Sequence, residues 1–569
     1  LGFAPMKSDV YAKAYSLESL REIEEVLRDS LDMERETNYF DQTLDELCRR
    51  VYNGYPENEE DYRKLIESGS THDVFVMPPL KAHIFDEERT PLITGAQLRD
   101  YVMLQVLDLM SISKAQGRQG RAERISYGTL GINQLGSVYE ALLSYRGFIA
   151  DETLFEVKKA GDKFDPLDVG YFVKEDELEN YTEDERVRNA DGSLRRYEAG
   201  TFVYRLAGRE REKSASYYTP ECLTQCLVKY ALKELLEGKT ADEILELTVC
   251  EPAMGSAAFL NEAVSQMAEA YLDRRQKELG EQIPHNEREL ELQRVKMFIA
   301  DRNIYGVDLN PIAVELGEVS LWLNSISRDG FVPWFGNQLH NGNSLIGARR
   351  RGYTEKSLTS KAAGIRWYDN EPERIGYEMG CSKSHRVYHF LAFDPGMALY
   401  KDKAVKELEP KAMGAVTDWN KKLKAPCTKD EVQSLRHLSL VVDKLWEKQI
   451  EQQRSMRAET KDALSVYGHE EGEASVATSI RQKDNIYSKY YLSEHERNAG
   501  PFARLKFAMD YWCSLWFWPI DQAEELPTRE EFLMDMSIVL EGTVAAAVGV
   551  SEADMAQTRI FWGDENIDL

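Results

Sequence analysis

The chain has 569 residues, 43% of them hydrophobic, enough to bury several cores and to make about three or four domains. Its 71 basic and 98 acidic residues leave a formal net charge of −27, the wrong sign for a surface that grips phosphates everywhere, so contact with nucleic acid must be local or supplied by other parts. No stretch approaches the uncharged length needed to span a bilayer, the most apolar run, Tyr511 to Ile520, being too short, and no secretory leader is expected. Seven scattered cysteines without CxxC spacing fit a reducing, cytoplasmic setting; Cys222 and Cys226 share a helix face, which points to packing rather than metal ligation.

In chain order, residues 1–150 carry helical patterns, including 17–31 and 134–145, and predict a helical N-terminal domain. A Gly/Gln-rich loop there presents Lys114, Arg118, Arg121 and Arg124. Residues 151–213 read as a mixed strand and turn connector. Glu156-Val157-Lys158, with Asp151 nearby, matches the acidic-x-Lys end of a nuclease site, but the Asp151–Glu156 spacing is too short for that arrangement, and a solvated strand is the expectation. An Asp191-Gly192 turn predicts a hairpin, with Arg195, Arg196, Arg205, Arg209, Arg211 and Lys213 around it and Tyr197, Phe202 and Tyr204 interleaved, a combination suited to local DNA contact.

Residues 214–350 are the informative part. Ala215-Ser216-Tyr217-Tyr218-Thr219-Pro220-Glu221 predicts a helix capped by Thr219 with Pro220 at its first position, and Leu227, Val228, Ala231 and Leu235 on its apolar face. Leu247 to Cys250 form a short buried strand that runs into Glu251-Pro252-Ala253-Met254-Gly255-Ser256-Ala257-Ala258, where small residues let a ligand lie against the start of a helix. Asn303 to Asp308 is a second strand ending in a carboxylate, followed by Asn310 as a cap and Pro311 at the first helical position. An acid at that place accepts hydrogen bonds from ribose hydroxyls in nucleotide-binding sheets. Asp308 follows Gly255 by 53 residues, against about 20 in a simple dinucleotide fold. The gap predicts a two-helix crossover, 257–280 and 286–300, broken near Gly280 and Pro284. Arg349, Arg350 and Arg351 follow this edge and add a basic cluster. Residues 351–569 read as a mainly helical insert or arm, with Leu435, Leu438, Val442, Leu445, Gln452 and Met456 on a heptad-like seam that suits scaffolding or a partner.

Tyr-Tyr-Thr-Pro, then Glu-Pro-Ala-Met-Gly-Ser-Ala-Ala-Phe-Leu, then Tyr-Gly-Val-Asp-Leu-Asn-Pro resembles, in order, the cofactor half of a gamma-class DNA methyltransferase that modifies adenine N6. The resemblance extends to Ala313–Asn324 and to Asn341-Gly342-Asn343-Ser344-Leu345-Ile346-Gly347, and covers roughly residues 125–350. It is closest to the large enzymes of type IIG restriction-modification and of the BREX and DISARM phage-defence systems, the DISARM-like proteins above all.

The resemblance implies a doubly wound, Rossmann-like α/β sheet and S-adenosylmethionine as cofactor, with no metal. Tyr218 and Thr219 would contact the cofactor's methionine end, with Glu251 and the loop amides around Ala253 and Gly255 beside them. Asp308 would hold the ribose hydroxyls, Leu309 would pack on the adenine ring, and Asn343 would stand near its amino group. The sequence departs from the pattern at Ala257, often Gly, and at Asn343, often Asp. Double-stranded DNA is the implied partner, with other defence-system subunits beside it. The Asn-Pro-Pro-aromatic motif that holds a flipped adenine is missing: Met77-Pro78-Pro79-Leu80 lacks the Asn, and Asn310-Pro311 belongs to the ribose turn. The expectation is therefore a partial view of a longer enzyme, the motif lying past Leu569. The alternative is a non-catalytic cofactor-binding or DNA-mimicking interaction protein, which the acidic charge and the missing motif favour.

Overall fold

The computed structural model describes residues 37–56, 85–89, 91–111, 125, 145–165, 169–189, 191–206, 219–326, 332–376, 380, 385–400, 403–470, 478, 480–493 and 499–541. Tyr218, the basic loop at 114–124, Arg209, Arg211, Lys213 and the helical patterns at 17–31 and 134–144 lie outside them. The chain divides into two compact units, one of Leu1–Ser344 with Asp462–Arg481, the other of Leu345–Lys461 with Gln482–Leu569.

The first unit opens with helices α1 (Tyr39–Asn53) and α2 (Asp100–Ser111), joined where the Phe40 N–H donates to Asp100 Oδ1 at 2.9 Å. Two small antiparallel sheets follow. Strand β1 (Tyr145–Ile149) falls at the end of the stretch expected to be helical and pairs with β5 (Phe202–Leu206), Gly147 opposite Tyr204. Strand β2 (Leu154–Val157) is central between β3 (Tyr171–Lys174) and β4 (Arg196–Tyr197). The predicted turn is present, with Gly192 at φ +84° and a bridge between Arg188 and Leu194.

Three parallel strands make the sheet that matters: β6 (Val249–Glu251), β7 (Ile304–Asp308) and β8 (Leu339–Asn341), in the order β6-β7-β8. Helix α3 (Glu221–Leu236) and the short α4 (Ala241–Leu245) precede it. The crossover from β6 to β7 is the expected pair of helices, α5 (Ala258–Leu279) and α6 (His285–Arg302), and Gly280 ends the first of them at φ +72°. Helix α7 (Pro311–Ser325) leads to β8, with Pro311 at its first position as expected. The strand order runs one way only, so the reversal that defines a doubly wound sheet is not present among the described residues. The core beneath is continuous: Leu260, Val264, Met267, Tyr271, Val295, Ile299, Ile304 and Leu321 are at most 1% exposed and pack together.

The second unit contains β9 (Arg351–Thr354) between β10 (Glu373–Arg374) and β11 (Arg386–Tyr388), and the helices α8 (Pro410–Leu423), α9 (Lys429–Thr460), α10 (Pro501–Ser514) and α11 (Arg529–Glu541). The seam on α9 buries Leu435, Leu438, Val442, Leu445 and Met456, whereas Gln449, donating to the Tyr491 hydroxyl at 3.2 Å, takes the buried place expected near Gln452. Among the described residues, no helix is long and apolar enough to cross a membrane.

Candidate functional site

The site forms where β6 and β7 end. Residue pairing sets Glu251 beside Gly306 and Asp308 beside Asn341, so the last residues of the three strands share one edge. From β6 the chain turns through Pro252 to Ala257 before α5 begins. Gly255 takes φ +54° and Ala257 φ +63°, both left-handed. That conformation is open to glycine and strained by roughly 1–2 kcal/mol for alanine, so the departure noted at Ala257 places a methyl group where the backbone favours none.

Packing holds this turn from below. Met254 is 2% exposed, and a Cβ on Gly306 would stand 2.2 Å from its sulfur and 3.0 Å from Leu339 Cδ2. A Cβ on Gly317 of α7 would meet Met254 Cε at 3.0 Å and Ala257 Cβ at 3.4 Å. Both glycines exist because the loop lies directly on β7 and α7. Hydrogen bonds complete the fixation: the Met254 N–H donates to the Val307 carbonyl at 3.1 Å, and the buried Asn261 side chain donates to the Ala257 carbonyl at 2.9 Å and to Ser320 Oγ at 2.7 Å.

Asp308 links the pieces. Its Oδ2 accepts the Gly255 N–H at 2.8 Å and its Oδ1 accepts the Asn310 N–H at 2.9 Å. The carboxylate is thus a turn clamp, and each oxygen keeps lone-pair capacity for a further donor. Asn341 donates to the carbonyls of Asp308 and Leu309 at 3.1 and 3.0 Å, and the Gly342 N–H donates to the Asp308 carbonyl at 2.9 Å. Leu309 is held with its side chain 57% exposed, an apolar surface at the strand edge.

Glu251 is the anomaly in the site. Its Oε2 is buried without a hydrogen-bond partner. Burial raises its carboxyl to about 8, with the Leu260 backbone N–H acting the other way and the Asp308 charge adding to the rise. An ionised carboxylate left unpaired in such surroundings is costly, which favours either the neutral acid or a bound donor.

Of the predicted residues, then, Glu251, Gly255, Asp308 and Leu309 are brought together at one edge, with Ala253 exposed in the loop between the first two. Asn343 stands exposed two residues past β8. Thr219 does not cap α3: the helix starts at Glu221 with Pro220 as its cap residue and no side-chain cap bond, one position later than expected. No hydrogen bond joins Thr219 to the loop among the described residues. The helix also turns a different face inward, burying Thr224, Val228 and Leu232 while Leu227 and Leu235 are 56% and 42% exposed. Asn341 and Asn261 were not anticipated; a polar side chain one turn inside α5 and another at the end of a strand were the available signals.

Residues 196–349 match the N-6 DNA Methylase family model. The matched segment contains the whole edge just described, from the β4 strand to the residues after Asn343. A Methanocaldococcus jannaschii protein named as a type II restriction enzyme and methyltransferase is 24% identical over 189 residues, which cover 25% of this chain and 15% of that protein. The chain therefore spans about 15% of the length of that curated relative. No solved structure matches the chain.

Other expected sites resolve differently. Glu156 is 2% exposed, with ion pairs to Arg205 at 2.8 Å and Arg195 at 3.1 Å and a hydrogen bond from the Tyr197 hydroxyl at 2.9 Å. It is a buried anchor rather than a solvated strand residue, and it turns inward two of the arginines considered for DNA contact. Arg196 pairs with Glu198 at 2.9 Å. Arg350 lies over the Trp446 ring, 5.7 Å from its centroid, and Arg351 pairs with Glu371 at 3.6 Å. Cys222 and Cys226 are exposed, so packing does not explain them, and no metal-binding group occurs among the described residues.

Proposed function

We propose that this chain supplies the S-adenosylmethionine-binding half of a DNA adenine-N6 methyltransferase of a restriction-modification or phage-defence system of the type IIG, BREX or DISARM kind. The observation that carries the reading is the Gly255–Asp308 clamp, which joins a left-handed glycine loop at a helix start to an acid at the end of the next parallel strand. The unpartnered Glu251 oxygen supports the reading, as a buried acceptor that the described residues leave unmet.

In this reading Asp308 accepts from the ribose hydroxyls with the lone pairs that Gly255 and Asn310 leave free. Leu309 covers one face of the adenine, and Asn343 stands near its amino group. Glu251, with Tyr218, Thr219 and the amides around Ala253 and Gly255, holds the methionine end. S-adenosylmethionine supplies the methyl group on its sulfonium sulfur. The chain's own contribution is to orient that sulfonium and keep the loop rigid, which matters because direct transfer to a flipped base depends on alignment. In this reading the grip on the adenine of double-stranded DNA is a task separate from this edge, and partner subunits complete the system.

Ultraviolet cross-linking of tritiated S-adenosylmethionine to the full chain, followed by peptide mapping, tests the placement. Label in the peptides of residues 247–260 or 303–310 is expected; label confined to other peptides would contradict it.

A further inference from the structure

Glu251 ends β6 with Oε2 buried and unpartnered, and among the described residues it has no ion-pair partner. The charges near it do not favour an anion. Asp308 on β7 pushes its carboxyl further up, after the larger effect of burial, while the Leu260 N–H of α5 offsets only part of the rise, which reaches about 8. Neither α5 nor α7 places an acidic or compensating basic residue in its first turn, and the first turn of α3 carries the acidic Glu221. Burial of an unpartnered oxygen favours the neutral acid over the carboxylate.

We propose that Glu251 is a proton-release site, a neutral acid in the free protein that gives its proton to solvent when the ammonium group of a methionine-bearing nucleoside docks against it. The inference rests on the reading of this edge as an S-adenosylmethionine pocket. Only the carboxyl O–H bond breaks: carboxylic acid and ammonium become a carboxylate–ammonium pair, and one proton leaves. If the pair instead settles as acid and neutral amine, the ligand loses the same proton, so the count is unchanged. Affinity then rises with pH, by about tenfold per unit near neutrality, until the ligand's own α-amino group, with a pKa of roughly 7.7–8.0, begins to lose its charge.

Calorimetric titration of the full chain with S-adenosylhomocysteine at pH 7, in phosphate and in Tris, reads the proton directly from the dependence of the heat on buffer ionisation enthalpy. Release close to one proton is expected for the parent chain. Methylthioadenosine, which lacks the amino-acid end, should bind with none, a comparison that needs no variant. Glu251→Gln should bind S-adenosylhomocysteine more weakly, by tenfold or more, and also release none. Binding of S-adenosylhomocysteine by the parent without proton release, or release that persists in Glu251→Gln, would overturn the inference and leave the pocket reading standing. Failure of both ligands to bind would overturn the pocket reading, and this inference with it.

Discussion

The backbone N–H of Gly255 donates to Asp308 Oδ2 at 2.8 Å, so a loop and a strand end 53 positions apart in the sequence form one rigid element. Asp308 does not wait for a ligand to acquire a role. It already fixes the turn between β6 and α5, and a substitution there acts on that turn as well.

Asp308→Ala removes two charge-assisted acceptors for backbone N–H groups, a loss of roughly 1–3 kcal/mol for each donor left without a partner. Chemical denaturation should show a lower midpoint, with the slope unchanged. Asp308→Asn keeps one acceptor oxygen and should fall between Ala and the parent. Equal stability of all three would mean that the clamp does not form.

Gly306→Ala tests the floor of the loop. The new methyl would press on the Met254 sulfur, which a Cβ would meet at 2.2 Å, and on Leu339; overpacking of this kind costs typically 1–3 kcal/mol. Adding Met254→Ala should recover part of the loss, so a double-mutant cycle is expected to show coupling between the two positions. Strict additivity would place Met254 elsewhere.

At Ala257, which is 0% exposed and left-handed, two substitutions should diverge. Glycine relieves the backbone while giving up a buried methyl, effects of about 1 kcal/mol each in opposite senses, so stability should hardly change. Valine brings a β-branched side chain into the same conformation and should destabilise by about 2 kcal/mol or more. Thermal melts of the pair decide it, and a tolerated valine would show that the turn is not left-handed.

Glu251 also predicts how stability depends on pH. Its folded carboxyl is raised to about 8 from an ordinary 4.5, so the folded state binds more protons than the unfolded chain between those values, and stability is lost as pH rises through that window. Glu251→Gln, which cannot ionise, should melt above the parent at pH 8, and the gap should close by pH 5. A gap of constant size would remove the titration from the account.

Glu156→Ala would leave Arg205 buried without its carboxylate, for which about 3–5 kcal/mol of destabilisation is typical. Loss of a magnesium-dependent DNA cleavage with stability intact is the outcome that would reinstate the nuclease motif set aside above.

How much of this was legible in the sequence depended on how local the determining physics is. The β6 loop, the two-helix crossover broken at Gly280 and Pro284, and Pro311 at a helix start were readable because turns, caps and breakers act over a few residues. The inward face of α3 was not, since Leu227 and Val228 are equally apolar and only the position of α5 decides which is buried. Glu156 was misjudged for the same reason: its arginine partners, Arg195 just before β4 and Arg205 in β5, lie 39 and 49 positions further along, and nothing near it announces burial. Gly306 and Gly317 read as ordinary residues until Met254 is seen to lie against them.

The central claim is that the Gly255 loop and Asp308 form one S-adenosylmethionine pocket. Titration of the full chain with S-adenosylmethionine, set beside Asp308→Asn and Gly255→Asp variants shown by circular dichroism to remain folded, measures it most directly. Saturable one-site binding to the parent is expected, weakened at least tenfold by the first substitution and abolished by the second. Undiminished binding to both folded variants would contradict it.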